Sequence, residues 1–256
     1  MQLRKSDLPD DFWALRRIER NRRRSQRNKQ RKREKAAELS FRETEEQRHA
    51  RHQAAREAGR LLQRRLEDGM KHGLRVVVDC SFASSSEASN QRELRSLARQ
   101  LQFCISANKT APKAACLIFA GFLGPLREYA MSRWNAGSWK VHLREESADQ
   151  ILKEERKVVV LSPDAHKPLE TVEPDTAYVV GGIVDRTVQK GITQFFADGS
   201  GWTARRLPLR EHVDVQNPVL TVNNVVTALL KVHGGQTWKE ALGEVVPARK
   251  KKNLGS

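Results

Sequence analysis

Four short apolar runs set the narrowest limit on how this chain can fold: Leu74-Arg75-Val76-Val77-Val78-Asp79-Cys80, Ala115-Cys116-Leu117-Ile118-Phe119, Lys157-Val158-Val159-Val160-Leu161, and the stretch from Thr176 to Val184. Each is short for a helix, three are rich in β-branched residues, and none alternates polar with apolar. Such runs read as strands buried on both faces, the signature of a parallel sheet. The second run is interrupted by Gly121, Gly124 and Pro125. Helical patterns lie between the runs. Leu94, Leu97, Leu101, Cys104 and Ile105 recur at helical spacing, with Arg92, Arg95 and Arg99 facing out and Gln100 at the stripe's edge. Glu145 to Glu155 is a further helix candidate, and another follows the polar loop after Val184. Leu220 to Val232 forms an apolar face from Val222, Val225, Val226, Leu229 and Leu230, and Trp238 to Leu242 is a last short helix. Ser138 to Leu143 reads as an edge strand and Ala204 to Leu209 as a short extended piece. The alternation predicts an α/β domain over residues 71–248, its mostly parallel sheet covered by helices on both faces.

Residues 1–70 differ in kind. They hold 21 Lys and Arg against 12 Asp and Glu, with too few apolar residues to build a core. A solvated helix or a disordered arm is expected there. Mixed charge ordinarily means only a solvated face, but one sign dominates from Arg16 to Lys35. Arg16, Arg20, Arg23, Arg24, Arg27 and Arg31 are therefore read as phosphate contacts, with nuclear import a compatible second use. Residues 249–256 add a basic tail. The net charge of +16 and the pI near 10.2 over 256 residues point to nucleic acid ahead of an anionic membrane.

Several chemistries are excluded or disfavoured. Cys80, Cys104 and Cys116 are widely spaced and form no CxxC, so a reduced, intracellular setting in nucleus or cytoplasm is expected and no metal site. No stretch approaches a membrane span, and no secretory segment opens the chain; scattered acids argue against a mitochondrial presequence. GxGxxG and GxxxxGK[ST] are absent, so neither dinucleotide nor P-loop nucleotide binding is supported. Nothing resembles a nucleophile elbow or a Cys/His pair.

Polar residues cluster instead at the carboxyl ends of three expected strands: Asp79, then Ser162-Pro163-Asp164, then Gly181-Gly182 with Asp185. Open α/β sheets bind ligands along that rim. The glycine pair would let the backbone turn and a ligand come close without a Cβ in the way. A single Asp at a strand end is more often a turn former, but three such ends converging favour a ligand crevice.

The domain also resembles the tRNA guanine-9 N1-methyltransferase family of the SPOUT class. The matching pieces are Val160-Leu161-Ser162-Pro163-Asp164, Tyr178 to Asp185, Thr203 to Leu209, Leu220 to Val225 and Trp238 to Leu242. Upstream, Val78 to Phe82, Leu97 to Leu101 and Asn108-Lys109 also fit. The family pattern is departed from at Lys109, where Arg is common, at Asn224, where Gln is commoner, and in the loop from Arg210 to Val219.

That resemblance implies a C-terminal trefoil knot, S-adenosylmethionine (SAM) as methyl donor, tRNA as partner and a monomeric enzyme. The cofactor pocket implied by position takes in Leu161, Gly181, Asp185, Arg186, Thr187, Val188, Gln189, Thr193, Leu207, Pro218, Val219 and Leu220, with Thr221 to Asn223 starting the next helix. Guanine N1 carries a proton that must leave as the methyl arrives, and Asp185 matches the proposed base. Asp79 is a second acid/base or orienting candidate, Gln100 a guanine-edge or positioning contact, and Lys109 an RNA contact. Trp134, Trp139 and Trp202 could stack on a base, though core packing is favoured for each. Adenine N1 has no such proton; an adenine target, or a tRNA-binding scaffold without catalysis, stands as the alternative.

Overall fold

A computed structural model describes residues 12–42, 44–81, 91–183, 192–215 and 218–251. The chain divides into two compact units between Arg60 and Leu61. In the first unit, helix α1 spans Phe12–Arg42 and helix α2 begins at Glu45 and runs to His72. Thr44 opens α2 with reciprocal bonds: the Gln47 N–H donates to Thr44 Oγ1 at 3.3 Å, and the Thr44 N–H donates to Gln47 Oε1 at 3.1 Å. Glu45 and Glu46 add negative charge to that first turn, where the helix dipole favours it.

From Leu61 onward the chain belongs to the second unit, so the last turns of α2, expected to be arm up to residue 70, group with the sheet domain. Leu66 and Gly69 are buried there. A Cβ on Gly69 would lie 2.6 Å from the Cβ of Ala114, so a glycine is what lets the helix sit this close. The Arg65 guanidinium donates to the Lys109 carbonyl, and Lys140 Nζ donates to Glu67 at 3.2 Å.

The sheet has six strands, all parallel: β1 (Arg75–Asp79), β2 (Cys116–Ala120), β3 (His142–Leu143), β4 (Val158–Leu161), β5 (Ala177–Gly181) and β6 (Thr203–Arg205), ordered β3-β2-β1-β5-β4-β6. Alternate residues enter two separate cores, as the strand period of two requires. Val76, Val78, Leu117, Phe119, Tyr178 and Val180 face one core; Val77, Ile118, Val158, Val160, Ala177 and Val179 face the other. The first core is closed by α3 (Gln91–Thr110), α4 (Gly124–Trp134), α8 (Val222–His233) and α9 (Trp238–Val245). The second is closed by α5 (Ala148–Ile151) and α6 (Ile192–Ser200). Helix α7 (Leu209–His212) follows β6.

The mostly parallel, doubly covered sheet is as expected, and four local expectations are corrected. Gly124 and Pro125, read as an interruption, begin α4, because a proline suits the first helical positions where its missing N–H has no intrahelical role. The helix expected over Glu145–Glu155 shrinks to Ala148–Ile151, opened by Ser147 with Gln150 closing the capping box. The edge strand from Ser138 is only His142–Leu143, preceded by a 3-10 turn at Ala136–Ser138. The extended piece Ala204–Leu209 yields to α7 at Leu209.

All three cysteines are free and buried. Burial pushes the Cys80 thiol well above its ordinary range, with the nearby Asp79 charge adding to the effect, and burial likewise raises Cys104 and Cys116. Their thiolates are disfavoured, so they act as core residues rather than nucleophiles.

Candidate functional site

The strand order reverses direction between β1 and β5. The chain steps outward from β1 through β2 to β3, then crosses to build β4 and β5 on the other side. A crevice at the carboxyl ends of the two strands flanking such a reversal is where open α/β sheets hold ligands. The last residue of β1 is Asp79 and the last of β5 is Gly181, and they are register partners.

Asp79 is buried, at 1 % exposure. Its Oδ1 accepts the Ser81 N–H at 2.9 Å, which fixes the carboxylate against its own strand end. Its backbone carbonyl accepts the Gly182 N–H at 2.7 Å. The glycine pair has a use the sequence did not announce. A Cβ on Gly182 would stand 2.6 Å from the Asp79 carbonyl oxygen and 3.1 Å from the Cys80 Cα. On Gly181 it would stand 2.8 Å from Thr193 Cγ2. Both openings are filled by protein rather than left for a ligand; glycine here serves close packing of β1, β5 and α6.

Thr193, at the start of α6, joins the rim through its hydroxyl, which donates to Ser162 Oγ at 2.9 Å. Ser162 follows β4, is buried, and is held by its N–H on the Arg205 carbonyl at 3.0 Å. Leu161 pairs with Val180 and Arg205, so Leu161, Gly181 and Thr193 lie together at the carboxyl edge. Leu207 shares the core with Leu161, and partly buried Leu220 packs against the same cluster. Of the cofactor candidates, Asp185, Arg186, Thr187, Val188 and Gln189 lie outside the described residues. Pro218 is half-buried and Val219 is exposed.

Gln100 has a definite task. Its Oε1 accepts the Val222 N–H at 2.9 Å, across a sequence separation of 122. Val222 opens α8, and the preceding Thr221 supplies no side-chain cap, so Gln100 of α3 caps α8 from a neighbouring helix. The bond ties the start of α8, two residues past Leu220, to α3. Replacing Gln100 with Ala leaves that buried N–H unpartnered, at an expected cost of about 1–3 kcal/mol. Thermal unfolding checks it: the midpoint should fall by roughly 3–10 °C.

Arg16, Arg20, Arg23, Arg24, Arg27 and Arg31 are all exposed on α1. At 100° per residue they share an arc of about 100°, so one face of the helix carries an unbroken guanidinium stripe. Lys109 is exposed at the end of α3. The three tryptophans are packing residues. Trp139 meets Phe119 edge-on at 6.2 Å, Trp134 meets Tyr129 at 5.5 Å, and Trp202 meets Phe196 at 5.7 Å. Ser81 escaped notice as a site residue, and Ser162 was noticed only as part of a strand-end cluster; the position of each directly after a strand was the available signal. Among the described residues no group of three His, Cys, Asp or Glu side chains converges as a metal site, and no helix is long and apolar enough to cross a membrane.

Comparison with known proteins adds a family. The sequence pattern described as tRNA (guanine(9)-N(1))-methyltransferase TRM10/TRM10A matches residues 2–251. The chain is 35 % identical over 182 residues to the tRNA (guanine(9)-N1)-methyltransferase of Eremothecium gossypii, covering 70 % of this chain and 60 % of that protein. It is 30 % identical over 191 residues to the tRNA (guanine(9)-N(1))-methyltransferase Trmt10A of Drosophila melanogaster, covering 73 % and 59 %. The matched part therefore spans less than two thirds of these curated relatives. Among solved structures, full-length spTrm10 in complex with SAH superposes with a TM-score of 0.62 at 29 % identity, covering 68 % of this chain and 95 % of that one. A dual specific Trm10 from Thermococcus kodakaraensis, at 20 % identity and a TM-score of 0.50 over 68 % of this chain and 99 % of that one, shows the shared fold.

Proposed function

Because the chain belongs to the TRM10/TRM10A tRNA (guanine(9)-N(1))-methyltransferase family, we propose that it transfers the methyl group of SAM to N1 of the purine, guanine, at position 9 of tRNA. The observation that carries this reading is the meeting of buried Asp79 with the Gly181-Gly182 turn at the sheet's reversal point. The names of its relatives and the SAH-bound neighbour support the same chemistry. We further propose the trefoil knot as the C-terminal topology, and nucleus or cytoplasm as a compartment compatible with a tRNA substrate.

The residues present suit SAM in chemical character. The rim combines apolar Leu161, Leu207 and Leu220 with a buried hydroxyl pair and a buried carboxylate. When bound, SAM supplies an electrophilic methyl group on a cationic sulfur. The chain's part is to orient the purine and to take the N1 proton. Asp185, three residues past Gly182, is the proposed base. Asp79, locked by the Ser81 N–H, is the proposed orienting carboxylate or second acid/base group. Positioned general bases contribute roughly 100- to 10,000-fold to such a step.

Incubating the protein with labelled SAM and unmodified tRNA, then mapping the product, tests the whole reading. Label at N1 of nucleotide 9 is expected. Tight tRNA binding with no methylation of any tRNA would sink the enzyme and leave a scaffold. The guanidinium stripe on α1 makes a separate prediction. Deleting residues 1–60 should weaken tRNA binding by about tenfold or more and flatten its salt dependence, since fewer counterions are released, while SAH affinity stays the same. Titrations at several salt concentrations read both quantities.

A further inference from the structure

The first residues of the basic tail are fastened to the protein. After Pro247 the chain makes a 3-10 turn at Ala248–Lys250. Lys251 then forms an isolated antiparallel bridge with Val215. Its Nζ donates to the Gly243 carbonyl at 2.7 Å, in the last turn of α9, where helix carbonyls lack partners and a cation is favoured. The Lys250 ammonium donates to the Val219 carbonyl. Both sides of the connection between α7 and α8 are thus tied to consecutive residues, at Val215 and at Val219.

The held segment is unusual in what it displays. Val219 is 39 % exposed, among the few large apolar side chains left open to solvent, and it stands between Pro218 and Leu220. At its far side, Gln100 caps Val222 only three residues on. The stretch Val219–Val222 is therefore clamped from two directions while presenting an apolar residue outward. Both clamps bond backbone groups, so they act on the main chain of the segment.

We infer that Lys250 and Lys251 are positioning residues: they latch the Pro218–Leu220 wall of the cofactor pocket into its binding shape. This rests on the methyltransferase reading above. Each of the two ammonium groups is committed to a carbonyl, which sets them apart from the exposed cations of α1.

Lys250→Met, Lys250→Arg and the double variant Lys250→Met/Lys251→Met test the latch in the full chain. SAH affinity by calorimetry, KM for SAM, KM for tRNA, kcat and the thermal midpoint are read for each. Lys250→Met should weaken SAH binding and raise the SAM KM by roughly tenfold, the loss expected for one charged hydrogen bond. Its kcat and tRNA KM should stay within about twofold of wild type, which marks loss of uniform binding. Lys250→Arg keeps a donor and should recover most of the affinity, and the double variant should exceed Lys250→Met. Unchanged SAH affinity in Lys250→Met, with a wild-type chain that binds SAH, would overturn the latch alone. A rise in tRNA KM without a change for SAH would also overturn it, in favour of an RNA contact. A wild-type chain that binds no SAH would overturn the methyltransferase reading as well.

Discussion

Asp185→Asn is expected to lower the rate of guanine methylation by roughly 100- to 10,000-fold while leaving SAH and tRNA affinities within about twofold. The amide keeps the shape of the carboxylate and its ability to accept a hydrogen bond, but it cannot hold the proton that leaves guanine N1. Single-turnover kinetics with saturating SAM isolate that step from product release. Asp79→Asn is the informative partner. Its amide oxygen can still accept the Ser81 N–H that fixes the native side chain, so the strand end should survive. If Asp79 only orients the purine, its loss should be the smaller of the two. The reverse ranking would move the base from Asp185 to Asp79. An adenine substrate supplies a control: N1 of adenine has no proton to lose, so neither change should matter there through base catalysis.

Gly182→Ala should disrupt the meeting of β1 and β5. The new Cβ would fall 2.6 Å from the Asp79 carbonyl oxygen, 3.1 Å from the Cys80 Cα and 3.2 Å from the Asp79 carbonyl carbon. All three are backbone atoms, so no side chain can rotate out of the way. The strands must part, and the 2.7 Å bond from the Gly182 N–H to the Asp79 carbonyl is strained or lost. Overpacking together with the weakened bond is expected to cost about 2–4 kcal/mol, or roughly 5–15 °C of thermal midpoint for a domain this size. Activity should fall further than stability accounts for, because the same displacement shifts Asp79. Calorimetry and methylation measured below the variant's unfolding temperature separate the two losses. Gly59, with nothing within 4 Å of its missing Cβ, is a matched control in which Ala should be neutral or mildly stabilising, as expected in a helix.

The sheet was legible because burial on both faces leaves an unambiguous mark: Val76-Val77-Val78 and Val158-Val159-Val160 can hardly be anything but inner strands. The helices on α3 and α8 were legible for the same reason, through their apolar stripes. Gly124-Pro125 was misread because the two strongest breakers can also open a helix, and only the neighbouring turn decides which. The site was legible in part. Asp79 and Gly181 could be named as strand ends, but not that they face each other, since strand order is a long-range property with no local signal. The glycine pair was noticed for the right positions and the wrong reason. Its smallness admits the Asp79 backbone and the Thr193 methyl, which no inspection of residues 178–185 could reveal. Gln100 gave no hint of its partner because that partner is a backbone N–H 122 residues away.

That separation has a consequence in time. A ribosome adding about 5–20 residues each second takes roughly 6–24 seconds to travel from Gln100 to Val222. For the first part of that interval, until β5 is complete at Gly181, β1 and β2 can pair but the other edge of β1 has no strand to meet. The α8 face that closes the first core arrives later still. Nascent chains therefore pass through a stage in which β1, a central strand of the finished sheet, is an open edge until the C-terminal third emerges.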